Sequence, residues 1–106
     1  MTKPLYFAGS ALEDLRAFPP AQRQEAGYQL GRVQFDLEPS DWKPMTKVGR
    51  GVREIRIQHE GQYRLIYVAK LDDAVYVLHA FRKKTQKTRK QDIEIARRRF
   101  REMRKT

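Results

Sequence analysis

The sequence predicts an α+β fold: two N-terminal helices packed on an antiparallel sheet of about four strands, with a helix at the C-terminus. Three observations predict it. Apolar residues recur at helical spacing up to about residue 37 and alternate after residue 51. The last quarter of the chain then returns to helical spacing. With 106 residues, 40% of them apolar, the chain supports one modest core, so residues 1–106 are read as a single domain.

The elements follow in order. Residues 5–8 are a short apolar run that reads as a buried strand. Ser10 and Glu13 have the spacing of a capping box, and Leu12, Leu15 and Phe18 share a face of the short helix behind it. Pro19-Pro20 stops that helix, and Pro20 suits the first turn of the next. Ala26, Leu30, Val33 and Leu37 form the core stripe of the second helix, which Pro39 ends. Residues 38–51 read as a loop, with Trp42 as a packing anchor. Residues 52–58 alternate, Glu60-Gly61 turns the chain, and residues 63–70 are apolar on both parities, as a central strand is. Leu71-Asp72-Asp73 turns it again into a strand over 75–81. Thr88 to Gln91 repeats the capping spacing, and Ile93, Ala96, Phe100 and Met103 make the stripe of the last helix. The order is β-α-α-β-β-β-α.

Charge is distributed unevenly. Residues 1–81 hold 11 Lys/Arg against 10 Asp/Glu, whereas residues 82–106 hold 12 against 3, which is nearly all of the net +10. A solvated helix usually mixes signs, because like charges one turn apart repel. A one-sign segment points to a polyanion or an acidic protein partner.

Cysteine is absent, which excludes disulfides and thiolate catalysis and fits a reducing compartment. The two histidines stand apart from clustered carboxylates, so neither a metal site nor a cofactor is expected. No apolar run approaches the roughly 20 residues that span a bilayer. The N-terminus lacks a signal-peptide pattern, and a cytoplasmic protein without membrane contact is expected.

Arg64 is the residue hardest to explain as structure. It interrupts a strand of Tyr63, Leu65, Ile66, Tyr67 and Val68, so it must face a wet cleft, pair with a carboxylate or bury its charge. The hairpin brings Arg56, two residues after Glu54, onto the same face. The last strand ends in His79, Phe81, Arg82, Lys83 and Lys84. Glu54, Arg56, Arg64, Lys83 and Lys84 are therefore the candidate catalytic set. Arg53, His79, Phe81, Arg82 and Lys87 are the candidate RNA-binding set, a basic face with aromatics. A plainer reading of the same residues is an ion pair between Glu54 and Arg56 or Arg64, with solvated lysines.

Three segments also carry a resemblance: Val52 to Ile57, Tyr63-Arg64-Leu65-Ile66-Tyr67, and Leu78 to Thr88 with its Phe-x-Lys-Lys-Thr-x-Lys-Thr run. Together they resemble the HigB-like, phage-derived branch of the RelE/ParE toxin superfamily along almost the whole chain. The resemblance implies a type II toxin that cuts mRNA, commonly on the ribosome. It also implies a cognate antitoxin, a helix-turn-helix DNA-binding protein, in a toxin–antitoxin hetero-oligomer. On it, Arg64 takes the place of the arginine that contacts the scissile phosphate. Lys83 and Lys84 match the basic pair that ends the last strand, and Glu54 and Arg56 the Glu-x-Arg of the first hairpin strand. No tyrosine follows Tyr76 and no acid stands in Lys43 to Lys47, so the substrate-stacking tyrosine of one better-known relative and the loop glutamate of another have no counterpart here.

Without a metal, RNA cleavage uses the substrate's 2′-OH as nucleophile. Arginines stabilise the phosphate, and Glu54, Lys83, Lys84 or His79 exchange protons. Two other readings remain open from sequence: a ParE-like toxin that inhibits DNA gyrase, and a basic RNA-binding module without chemistry.

Overall fold

Alternation of the hairpin strands sends each strand's side chains to two faces, and each face needs its own cover. A computed structural model describes residues 2–69, 74–84 and 90–104. The expected turn at Leu71-Asp72-Asp73, Lys70, Lys87 and the cap at Thr88 lie outside the described residues. The chain runs β1 (Leu5–Phe7), α1 (Ala11–Arg16), α2 (Pro20–Gln34), β2 (Trp42–Pro44), β3 (Val52–Gln58), β4 (Gln62–Ala69), β5 (Val75–Lys83) and α3 (Lys90–Arg104).

These strands form one sheet in the order β1-β5-β4-β3-β2. Helices α1 and α2 cover one face, against Ile55, Ile57, Tyr63, Leu65, Tyr67, Val75 and Val77. On the other face Ala96 and Phe100 of α3 pack with Met45, Val48, Val52, Ile66, Val68 and Leu78. β4 is central and buried from Tyr63 to Val68.

The sheet differs from the sequence reading in two ways. It has five strands, because Trp42–Pro44, inside the segment read as a loop, pairs antiparallel with β3. It is also mixed, because β1 pairs parallel with β5. After β1 the chain crosses through two helices before it can rejoin the sheet, and nothing in a three-residue run states its direction.

Local signals also gave way to tertiary demands. Ser10 makes no side-chain cap; its hydroxyl donates to Asp14 at 2.8 Å and accepts from Arg99 at 3.1 Å. Leu37 is not a core residue. α2 stops at Gln34, Asp36 adopts φ 64°, and the Leu37 amide donates to the Arg32 carbonyl at 2.8 Å, which turns Leu37 into solvent. Gln22 and Gln29 are buried on α2 alongside the expected apolar stripe.

One irregularity positions the site. The β4–β5 register shifts between Ile66 and Tyr67, leaving Leu78 as an extra residue. Val75 and Val77 face α1 and α2, whereas His79, Phe81 and Lys83 lie on the α3 face. Without that bulge the strand's parity would send all five to one side.

Candidate active site

On the α3 face, side chains line up in rows across the strands. One row is Lys43, Glu54, Ile66, His79; the next is Arg56, Arg64, Phe81; the third is Gln58, Gln62, Lys83. The α3 cluster covers this face toward Val52 and Val68, and the charged rows lie toward the β3–β4 turn.

Glu54 is fully buried and Arg64 is 3% exposed. Arg64 Nε stands 3.5 Å from Glu54 Oε1, and Lys43 Nζ approaches the same oxygen to 3.7 Å. Arg64 Nη1 donates to the Tyr63 carbonyl and Nη2 to Gln62 Oε1, each at 3.1 Å. Arg64 thus meets its strand surroundings by pairing with a carboxylate, and the exposed Gln62 caps its outer nitrogen. Burial pushes the Arg64 pKa down; Glu54 opposes this and Arg56 adds to it. A guanidinium remains charged throughout.

Arg56 turns away from Arg64, toward β2. Its Nε donates to Asp41 Oδ1 at 2.9 Å and its Nη2 lies 2.7 Å from the same oxygen, while about a third of its side chain stays exposed. Lys83, half-buried at the end of β5, has its pKa lowered by burial and then by the Arg64 charge, with Glu54 pulling the other way. Lys84 is exposed, on the opposite parity just past the strand.

His79 and Phe81 are both buried, and their rings stack at 4.9 Å. His79 Nε2 lies 2.8 Å from Asp92 Oδ1 in the first turn of α3, so the histidine ties that helix to the sheet. Burial lowers the His79 pKa although Asp92 raises it. Among the described residues His79 Nδ1 has no hydrogen-bond partner.

Arg53 and Arg82 are not brought to this cleft. Arg53 lies 3.9 Å over the Trp42 ring and 2.9 Å from Glu38, and Arg82 reaches over Tyr63, both on the face of α1 and α2. Trp42 is thus a shelf for Arg53 rather than a core anchor. Three partners escaped the sequence reading: Lys43, Asp41 and Asp92. Only Asp92 carried a signal, an acid in the first turn of a helix. Among the described residues no three His, Asp or Glu side chains gather as metal ligands, and no helix is long and apolar enough to cross a membrane.

No curated protein matches the chain. Among solved structures, a chain of the RelBE2 toxin–antitoxin complex from Mycobacterium tuberculosis is similar, with a TM-score of 0.53 and 22% identity over 80% of this chain and 95% of that one. That likeness shows a shared RelE-like fold. The family model "Phage derived protein Gp49-like (DUF891)" matches residues 13–101. The chain therefore belongs to the Gp49-like, phage-derived family.

Proposed function

We propose that the chain is the toxin of a type II toxin–antitoxin system and acts as an endoribonuclease on mRNA, on the ribosome, held inactive by a cognate antitoxin. The observation that carries this reading is the set of cations around one buried carboxylate. Lys43, Arg56, Arg64 and Lys83 come from four strands and converge on the part of the sheet that the α3 cluster leaves to charged side chains. Four cations against two acids, Glu54 and the Asp41 that holds Arg56, still leave the cleft positive, as a phosphate site must be.

In this reading the RNA 2′-oxygen attacks the adjacent phosphorus, its proton leaves to solvent, and the 5′-oxygen departs with a proton from the protein. Glu54, with no exposed surface, is too deep to take a proton from substrate; it holds Arg64 in place. Arg56 and Lys43 meet the phosphate oxygens, and Arg64 adds its field from beneath, or its Nη2 directly once Gln62 swings out. Lys83 protonates the leaving oxygen, and its lowered pKa makes it the stronger acid. The products are a 2′,3′-cyclic phosphate and a 5′-hydroxyl.

The test is cleavage of a labelled mRNA on purified ribosomes by the purified chain, with the fragment ends identified. Cyclic phosphate ends, and a loss of roughly 10²- to 10⁴-fold in Lys83→Ala, support the reading. Intact RNA, or undiminished cleavage in Lys83→Ala, overturns it.

A further inference from the structure

Two glutamines buried about two turns apart on α2 bind the β3 side of the sheet. Gln22 Nε2 donates to the His59 carbonyl at 2.6 Å. Gln29 donates to Ser40 Oγ at 3.0 Å and to Glu25 at 2.7 Å, and accepts from the Ser40 amide at 2.8 Å. Apolar side chains at these positions would let the helix close on the strand; the glutamines instead fix its distance at both ends. Between them lies a cleft of about 720 Å³, walled by Gln24, Glu25 and Tyr28 on one side and by Asp41, Arg56 and Gln58 on the other. That size falls within the range of small-ligand sites.

The strand edge in this cleft is unfinished. β2 pairs with β3 only through Ile55, and the Arg56 amide donates outward to the Asp41 carbonyl at 2.8 Å. Strand parity turns the amide and carbonyl of Gln58 outward too, into the cleft. Tyr28 is 59% exposed beside them, so its ring is a large apolar surface facing solvent without a packing role.

We propose that this cleft is a base-recognition subsite, taking one unstacked nucleobase of the RNA whose backbone crosses the cation cleft. The inference rests on the nuclease reading above and deepens it. Arg56 belongs to both sites, and Asp41 stands two strands from Arg64, roughly 10 Å away at the spacing of paired strands. A nucleotide next to the scissile phosphate spans that gap. Single-stranded RNA is read by stacking splayed bases on aromatic rings and bonding their edges, and this cleft holds both kinds of group. Tyr28 is the stacking surface. The carboxylates of Glu25 and Asp41 accept from exocyclic amines, and the amides of Gln24 and Gln58 offer a donor and an acceptor each. The same carboxylates disfavour an acidic protein segment, the kind a chain of net charge +10 attracts.

The experiment titrates the full chain, labelled for NMR, with a short mixed-sequence RNA carrying 2′-O-methyl at every position, which the proposed chemistry leaves uncut. Alongside it, cut sites of wild type, Tyr28→Ala and Gln24→Ala are mapped on mRNA. The expected result is a shift of the Tyr28 ring and of the Gln24 and Gln58 side-chain amides together with Lys83. The base bias at one fixed offset from the cut falls to background in both variants while cutting continues. Shifts at Lys83 without shifts at Tyr28, Gln24 and Gln58 overturn the subsite and leave the nuclease reading standing, as does an unchanged base bias. No shift anywhere overturns the subsite, and the nuclease reading falls with it only if the mapped mRNA is also left uncut by wild type. Binding of an acidic peptide at Gln58, with RNA leaving it untouched, overturns the subsite in favour of a protein partner.

Discussion

Arg64 Nε and Glu54 Oε1 face each other at 3.5 Å, both out of solvent, in adjacent strands of the sheet. Removing one partner of a buried pair strands the other's charge, so Arg64→Ala and Glu54→Gln are each expected to cost about 3–5 kcal/mol of stability, read by urea denaturation. Replacing both by apolar residues, as in Arg64→Met with Glu54→Leu, should return most of that stability. Cleavage should not return with it. An active double variant would reduce the pair to packing.

Lys83 is the residue whose proton matters most in the proposed chemistry. Its pKa is lowered from 10.5, so the rate of an enzyme that needs it protonated should fall with rising pH before 10.5 is reached. Lys83→Arg keeps the charge but gives up no proton, and should bind RNA while cleaving it slowly. A pH–rate profile flat up to 10.5 in wild type would contradict the role.

Arg53 and Arg82, read from the sequence as RNA-binding residues, lie on the face of the sheet opposite Arg56. Arg53→Ala and Arg82→Ala should leave cleavage within a few-fold of wild type, whereas Arg56→Ala should lower it by at least about tenfold, in line with lost phosphate contacts. Equal losses in all three would mean that RNA wraps both faces.

His79 contributes a pH dependence to folding rather than to chemistry. Its folded pKa lies below the unfolded value of 6.5, chiefly because it is buried. The unfolded chain therefore binds a proton first as pH falls. The contribution of His79 to stability is complete above 6.5 and is lost as pH drops through its folded pKa. Denaturation midpoints of wild type should decline below pH 6.5 more steeply than those of His79→Gln. Parallel curves would show that the histidine does not titrate with folding.

The sequence made the sheet's central strand legible, because β4 is apolar on both parities and only a doubly covered strand needs that. It made Arg64 legible for the same reason, as the one charge breaking that pattern. Other features depend on partners distant in sequence. Lys43 reads as loop until β2 pairs with Glu54, and a three-residue edge strand carries too little alternation to see. The bulge at Leu78, which puts Phe81 and Lys83 on the site face, is marked by no glycine or proline. Asp92 finds His79 only once α3 has packed. Leu37 kept the helical spacing but lost its helix to the left-handed turn at Asp36, a backbone choice that periodicity does not register.

The reading stands or falls on whether the cation cleft cuts RNA. The most direct measurement is the map of 5′-hydroxyl ends on cellular mRNA after the chain is induced in bacteria, beside that for a folded Lys83→Ala variant. New ends that depend on translation in wild type and vanish in Lys83→Ala are the predicted result. Growth arrest with intact mRNA and damaged or relaxed DNA would contradict it and point to gyrase.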